Sequence, residues 1–182
     1  MKKTILLAAG LLLLTGCAGQ ELSNVSLVRT LGIDGGGAVT VTAVAGNEDE
    51  RALFSCVGED VPAAQKNLET LGSERLAVTH IGQVVLGEDA SAQCLWDEVV
   101  QRESGYGATV WLAERGTARG LLMDAYDPAG RLKHLEDSGV AAPTLLEAVS
   151  ALVRDGEVKV PVLGLRSGEL AVVDWRALKG EF

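Results

Sequence analysis

The chain has 182 residues, of which 47% are hydrophobic, and its formal net charge is −9 at pH 7. That length fits one domain of common size and is enough to bury a core. The acidic balance argues against nucleic acid as a partner and against direct contact between the folded body and anionic lipid head groups.

The first sixteen residues have the composition of a secretory signal peptide. Lys2 and Lys3 precede the apolar run from Ile5 to Leu14, which is too short to cross a hydrocarbon core because crossing takes about 20 apolar residues. Residues 1–16 contain no other charge, so their removal changes the formal net charge of the chain from −9 to −11. The signal therefore predicts an exported, acidic protein.

A cysteine follows the signal directly. The sequence Leu14-Thr15-Gly16-Cys17 resembles the lipobox of bacterial lipoproteins. This implies that Cys17 carries a diacylglyceryl group on its sulfur, can be acylated on its nitrogen and becomes the first residue of the mature protein. Two or more acyl chains anchor a protein stably, whereas one holds it only marginally. Residues 17–24 are therefore predicted to be the lipid anchor and tether, with an ordinary secreted protein as the alternative.

Strands dominate the next part of the chain. Alternating apolar residues predict one strand over Val25 to Ile33 and another over Ala38 to Ala45. The glycines in Asp34 to Gly37 join them in a hairpin, because glycine adopts the positive φ of a tight return. They do not indicate a phosphate-binding loop, since a β-branched strand follows them instead of a helix. A third strand is predicted over Ala52 to Val57.

Helices and strands alternate between residues 60 and 113. Asp60 is the expected N-cap of a helix that has Pro62 in its first turn and ends at Gly72, because these residue types are favoured at helix ends. In chain order, a buried strand, a helix and another strand are then predicted over Ile81 to Leu86, Glu88 to Arg102 and Ala108 to Ala113.

The last third combines two helices and a hairpin. A short helix is predicted around Leu121 to Met123 and is expected to end at Asp127-Pro128. Thr144 and Glu147 have the spacing of a capping box, which opens a helix that Gly156 closes. The two final strands are predicted over Glu157 to Leu163 and Glu169 to Trp175.

The order of these elements predicts the α+β class, with a mixed, mainly antiparallel sheet covered by helices. Residues 25–155 are expected to form one α+β domain. Residues 156–182 are expected to form a terminal hairpin that starts a second module and is cut short.

Few residues offer reactive chemistry. Cys56 and Cys94 are a candidate disulfide, although two isolated cysteines more simply remain buried thiols. His80 and His134 stand alone, and without a clustered His/Cys pattern no metal site and no cofactor are expected. His80 precedes a buried strand and fits a hydrogen-bonded structural role, while His134 lies in a charged segment and fits a solvated one.

The sequence offers no constellation for catalysis. It has no GxSxG motif and no nucleophile that can be paired with a histidine. Trp96 and Trp111 fit the core better than a ligand platform. Three acidic pairs fit helix caps and exposed faces better than paired-carboxylate chemistry; they are Glu59-Asp60, Glu88-Asp89 and Asp97-Glu98. The chain is therefore predicted not to be an enzyme.

Several short motifs follow the lipobox in a characteristic order. They are Glu21-Leu22, Leu31-Gly32-Ile33-Asp34, Arg75-Leu76, His80 and Gly87-Glu88. With the lipobox, and with the helix and the Val110 to Ala113 strand that come next, they resemble the N-terminal domain of the Ger(x)C family. These spore-germination lipoproteins are the C subunits of nutrient germinant receptors. Pro161 to Lys179 resembles the opening of the middle domain of that family.

Two features differ from the family pattern. Ala18-Gly19 stands where the family often has Trp-Asp, and the large C-terminal domain of the family is absent from this sequence. These differences leave three alternatives, which are a full receptor subunit, a shortened accessory version of one and a decaying copy.

The resemblance implies a membrane-anchored, non-enzymatic subunit or accessory of a spore nutrient germinant receptor. Its implied partners are the membrane, through the lipid anchor, and the A and B membrane subunits of the receptor. Its implied location is the extracytoplasmic face of the cytoplasmic membrane, which becomes the inner membrane of the spore. The alternatives are a generic extracytoplasmic lipoprotein that binds a small solute or envelope component, and a lipid-anchored hydrolase.

Overall fold

The computed structural model describes residues 25–46, 51–71, 75–77, 81–101 and 105–180. These residues form one mixed sheet with helices on both faces. The strands are β1 (Val25–Asp34), β2 (Val39–Gly46), β3 (Arg51–Gly58), β4 (Arg75–Ala77), β5 (Gln83–Leu86), β6 (Thr109–Ala113), β7 (Glu157–Arg166) and β8 (Glu169–Lys179). The helices are α1 (Val61–Thr70), α2 (Gln93–Gln101), α3 (Ala118–Asp124), α4 (Pro128–Asp137) and α5 (Leu145–Asp155).

The strands lie in the order β3-β2-β1-β5-β6-β7-β8, and the short β4 pairs with the start of β1. The central strands β1, β5, β6 and β7 are parallel neighbours, whereas β2, β3 and β8 extend the sheet in antiparallel pairs. Because the antiparallel ladders contain more residue pairs, the predicted α+β class with a mixed, mainly antiparallel sheet is confirmed. We call the edge where the four parallel strands begin the amino edge, and the opposite one the carboxyl edge.

Alternate residues of the central strands enter two apolar clusters on opposite faces of the sheet. Val84 and Val110 pack on one face with side chains of α1, α2 and α5. Val85 and Trp111 pack on the other face with side chains of α3 and α4. Successive side chains of a strand point to opposite faces, so strands covered on both sides appear in the sequence as continuous apolar runs. Each fully buried side chain of this size contributes about 1.5–3 kcal/mol.

Local sequence signals set several helix ends where they were predicted. Asp60 is the N-cap of α1, and its Oδ1 accepts the N–H of Ala63 at 2.8 Å. Thr144 and Glu147 form the capping box of α5, and Gly156 ends that helix at φ 74°. These predictions, and the antiparallel hairpin of β1 and β2, are confirmed.

Two helix predictions are wrong in their extent. α2 begins at Gln93 and not at Glu88, because both the N–H and the carboxylate of Glu88 bond to Gly116 in a neighbouring loop. Asp127-Pro128 was predicted to end a helix, but Asp127 is the N-cap of α4 and Pro128 is its first residue. Proline suits that position because its missing N–H is not needed there.

The last hairpin extends the same sheet. β7 is parallel to β6 and antiparallel to β8, and Val160 and Leu163 belong to the two clusters of the core. The boundary predicted at residue 156 therefore falls within a continuous apolar core. The start of a second module in this segment stays a prediction.

The outer strand β8 is irregular. It ends the strand order of the described residues, and its ladder with β7 shifts register between Val162 and Leu163. The N–H of Trp175 donates to the carboxylate of its own neighbour, Asp174, at 2.7 Å. The ammonium of Lys159 lies 5.9 Å from the centre of the Trp175 ring. A shifted register of this kind bends the strand and increases its twist.

Candidate functional site

The predicted lipid anchor lies outside the described residues. Cys17 and the signal before it therefore stay predictions, and so does the role of His80. Within the described ranges, no helix has the length and the apolar character that crossing a membrane requires.

Asp34, the last residue of the Leu31-Gly32-Ile33-Asp34 motif, lies at the carboxyl edge. Its carboxylate accepts the backbone N–H groups of Ala118 and Arg119 in the first turn of α3, the second at 3.1 Å. Thr117 caps the same turn, because its Oγ1 accepts the N–H of Gly120 at 3.0 Å. The two side chains thus satisfy three of the four N–H groups that the start of a helix leaves unpaired.

Gly87-Glu88, another motif of the family resemblance, reaches the same place from β5. The N–H of Gly87 donates to the carbonyl of Ile33 at 2.8 Å. The N–H of Glu88 donates to the carbonyl of Gly116 at 2.9 Å, and the N–H of Gly116 donates to the Glu88 carboxylate at 3.0 Å. We call this cluster the Asp34 junction; it consists of Asp34, Gly87, Glu88, Gly116 and Thr117. It joins the carboxyl ends of β1, β5 and β6 to the start of α3.

Two glycines permit the close approach of elements at this junction. A Cβ on Gly87 would collide with Oδ1 of Asp34 and would lie 3.2 Å from the backbone nitrogen of Ala118. A Cβ on Gly32 would lie 2.9 Å from Cδ1 of Leu122 in α3. Gly32 and Asp34 of the Leu-Gly-Ile-Asp motif therefore both help α3 to pack closely on the sheet.

Two opposing influences act on the charge of Asp34. Burial raises the pKa of this carboxyl above its ordinary value of 3.8, because the charged form loses its hydration. The N–H groups of Arg119 and Ala118 favour the charged form and counteract part of this effect. The net result is a raised pKa, so the folded state holds the proton of Asp34 more tightly than the unfolded chain does.

Replacing Asp34 with asparagine is expected to change the pH dependence of stability. Since folding raises the pKa of Asp34, protonation of this carboxyl stabilises the folded state. This contribution is complete below the unfolded pKa of 3.8 and is lost as pH rises through the folded pKa. Asparagine cannot ionise, so the Asp34→Asn chain does not lose stability in this way as pH rises. The unfolding free energy of the native chain minus that of Asp34→Asn should therefore fall in urea titrations as pH rises from below 3.8 through the raised folded pKa. A difference that increases with pH would contradict this account.

A buried carboxyl–amide pair lies between α1 and α2. Glu98 is 1% exposed, and its Oε2 accepts a hydrogen bond from the side-chain nitrogen of Gln65. The prediction that Asp97-Glu98 lies on an exposed face is wrong for Glu98, because α2 packs this side chain against α1. A buried polar group is costly without a partner, so this pair fixes how the two helices fit together.

Cys56 and Cys94 are both free thiols, and no disulfide joins them. Cys94 is buried, as expected for an isolated cysteine, while Cys56 is half-buried. Burial raises the pKa of the Cys94 thiol above its ordinary value of 9.0. A buried thiol of this kind is poorly suited to act as a nucleophile.

The tryptophans and His134 are not part of the Asp34 junction. Trp111 is fully buried, as predicted, and its indole N–H donates to Oγ1 of Thr109 at 2.8 Å. Trp96 is 39% exposed on the solvent side of α2, so its prediction as a core residue is wrong. His134 is exposed in the last turn of α4, in agreement with its predicted solvated state. Among the described residues, no group of three or more His, Cys, Asp or Glu side chains is arranged to hold a metal ion.

An apolar groove of about 780 Å³ runs beside α5. Pro143, Leu146 and Val158 contribute apolar walls, and Glu147 and Arg154 bring opposite charges to its rim. The carbonyl of Pro143 accepts the N–H of Val110 near the start of β6, which places the groove near the amino edge. Its volume falls within the range of small-molecule sites.

Comparisons with protein-family models, with curated proteins and with solved structures found no match. The resemblance to the Ger(x)C family therefore depends on the sequence motifs alone.

Proposed function

We propose that this chain is a membrane-anchored lipoprotein that acts as a non-enzymatic subunit or accessory of a spore nutrient germinant receptor. The observation that carries the proposal is the sequence Leu14 to Cys17, a lipobox placed directly after an apolar signal. The lipid would hold the protein on the extracytoplasmic face of the cytoplasmic membrane, the future inner membrane of the spore.

Two motifs on which the receptor part of this proposal depends meet at the Asp34 junction. Leu31-Gly32-Ile33-Asp34 and Gly87-Glu88 are far apart in the sequence, yet Asp34 and Gly87 lie in one cluster that positions α3. Motifs that share one structural task are expected to occur together in chains of one fold.

The junction carboxylates are engaged by the backbone, which argues against their acting as general bases. Asp34 accepts two backbone N–H groups, and Glu88 accepts the N–H of Gly116. A general base must reach the proton that it abstracts from a substrate, whereas these two carboxylates already bind the backbone of the protein. Anchoring alone also promotes assembly, because confinement to a membrane raises the effective concentration near membrane-embedded partners.

Replacing Cys17 with serine is expected to release the protein from membranes, because serine lacks the thiol that receives the lipid. The native chain should sediment with the membrane fraction and the Cys17→Ser chain should remain in the soluble fraction. The mass of the N-terminal peptide should show a diacylglyceryl group only in the native chain. In detergent extracts of sporulating cells, the native chain should copurify with the A and B membrane subunits of a receptor.

Cys56→Ser is the matched control for this experiment, since it removes a thiol from the folded body and leaves the lipobox intact. It should behave as the native chain does. Retention of Cys17→Ser in the membrane fraction would contradict the anchor. A correctly anchored native chain that copurifies with neither receptor subunit would contradict the receptor part of the proposal.

The groove beside α5 favours one alternative, a generic lipoprotein that binds a small solute or envelope component. Its volume of about 780 Å³ and its apolar walls suit such a ligand. The neighbouring genes distinguish the two functions. Genes for A-like and B-like receptor subunits beside this one support the germinant receptor, whereas a transporter operon or a host that never sporulates supports solute binding.

A further inference from the structure

We propose that the outer edge of β3 binds an extended segment of a partner protein, which adds a strand to the sheet. The segment is apolar in its middle and carries basic residues at its ends. This inference goes beyond the proposed function, because it depends on the folded body and not on the lipid anchor.

β3 is the outermost strand on one side of the sheet that the described residues form. The backbone groups that it presents to solvent follow from the hydrogen bonds of β1. The carbonyls of Arg29 and Ile33 accept the N–H groups of Gly82 and Gly87, on the side of β5. The peptide groups of successive residues in a strand point to opposite sides, so the even-numbered residues of β1 bond to β2.

The same alternation continues across β2 to β3. Beyond its register shift, the ladder of β1 with β2 pairs even-numbered residues with even-numbered ones, so the odd-numbered residues of β2 bond to β3. Those residues lie opposite even-numbered residues of β3. The N–H and C=O groups of Leu53, Ser55 and Val57 therefore point away from the sheet. In agreement with this, the C=O of Val57 accepts the side-chain amide of Asn67 in α1 at 2.8 Å.

β3 lacks the features that usually protect an edge strand from pairing. Its ladder with β2 runs from end to end without a register shift. Its sequence contains no proline and one charged residue, Arg51. The opposite outer strand, β8, has a register shift in its ladder and four charged residues in its sequence. One edge of the sheet is therefore protected, while the β3 edge is suited to accept a strand.

Apolar side chains flank the outward-pointing groups on both faces of β3. Phe54 and Cys56 are half-buried against the apolar cluster on the side of α1. Leu53 is half-buried against the cluster on the other face, and Val57 is 56% exposed. An added strand would bond to the backbone of β3 and cover these side chains at the same time. Main-chain bonds of this kind provide affinity, and the alternate side chains provide specificity.

The charge around β3 determines which partner fits this edge. Glu48, Asp49 and Glu50 precede the strand in the sequence, and the exposed Glu59 and Asp60 follow it. These five carboxylates outnumber the single basic residue of the strand. A second copy of this chain would bring the same five carboxylates to the edge, and like charges would oppose its binding. A segment with an apolar middle and basic ends is therefore the partner that the edge favours.

A synthetic peptide and two matched substitutions test this edge. The probe has the sequence Val-Val-Thr-Val-Val between two pairs of lysines, and the anisotropy of a dye on the peptide reports its binding to the native chain in detergent micelles. Val57→Pro removes the outward N–H of residue 57 and spares the ladder with β2, because proline is tolerated where an edge strand faces solvent. Val57→Thr keeps this N–H and the β-branched shape. Circular dichroism checks that both variants are folded.

We expect the probe to bind the native and Val57→Thr chains with dissociation constants within about threefold of each other. It should bind the Val57→Pro chain at least about tenfold more weakly, because the added strand loses a hydrogen bond and gains a steric obstacle. If Val57→Pro does not fold, a probe that is N-methylated at alternate residues removes the same bonds from the peptide side and should bind the native chain more weakly.

A second probe with glutamates in place of the lysines tests the charge. It should bind more weakly than the lysine probe, and the difference should shrink as the salt concentration rises. No binding of the lysine probe, or equal binding to the native and Val57→Pro chains, would overturn strand addition at β3. Equal affinity for the two probes would overturn the basic partner, and so would a native chain that forms dimers through β3 without any peptide. Loss of the lipid would contradict the proposed function and leave these outcomes unchanged.

Discussion

The Asp34→Ala chain is expected to unfold at a lower urea concentration than the native chain, with a loss of about 1–3 kcal/mol of unfolding free energy. The substitution removes the acceptor of two N–H groups at the start of α3, those of Ala118 and Arg119. Ala118 is fully buried, so water cannot readily replace the lost bond. An unsatisfied buried donor costs more than an average hydrogen bond contributes. Urea titration followed by circular dichroism measures the difference.

Asp124→Ala is the matched control, because Asp124 is exposed at the other end of the same helix. It should change the unfolding free energy by no more than about 0.5 kcal/mol. If Asp34→Ala prevents folding altogether, Asp34→Asn provides the graded case, since it keeps one acceptor oxygen. Equal midpoints for Asp34→Ala and Asp124→Ala would show that the carboxylate does not hold α3 in place.

Gly35→Ala is expected to destabilise the fold by about 1–3 kcal/mol because the added methyl group has no room. A Cβ on Gly35 would lie 2.9 Å from the Cα of Ala90 and closer still to the carbonyl oxygen of Asp89. Both atoms belong to backbone, which cannot yield as the end of a flexible side chain does. The loop after β5 would have to move away from the end of β1. Thermal and urea unfolding of the purified variant measure this cost.

Gly37→Ala is the control from the same loop. A Cβ on Gly37 has no atom within 4 Å, and the φ of Gly37 lies outside the positive range. The substitution should therefore be neutral or stabilise the protein by up to about 1 kcal/mol, since alanine restricts the unfolded chain more than glycine does. If the two variants had the same stability, the contact between the loops after β1 and β5 would be unimportant.

Elements with local signals could be predicted from the sequence. The capping residues of α1 and α5 lie within four residues of the groups that they bind, so Asp60 and Thr144 indicate their helices without any tertiary information. The hairpin of β1 and β2 follows in the same way from alternation and a glycine turn. The start of α2 could not be predicted, because Glu88 bonds to Gly116, which is 28 residues further along the chain.

The Asp34 junction depends on contacts that no local pattern reveals. Asp34 and Ala118 are 84 residues apart in the sequence. An aspartate before three glycines is most simply interpreted as a turn residue. The resemblance of the motif to a family marked Gly32 and Asp34 as notable but gave no physical reason. Glu98 was missed for a related cause. An Asp-Glu pair on a helix suggests a solvated face, and only the packing of α1 shows that Glu98 faces Gln65.

The irregular last strand has a consequence for crowded surfaces. Proteins confined to two dimensions meet one another often, and an open strand edge invites stacking into fibres. Here the shifted ladder near Val162 disturbs the flat template that an incoming chain would need. The N–H of Trp175 is also occupied by the carboxylate beside it. The β8 edge is therefore a poor template for pairing with a strand of a neighbouring copy.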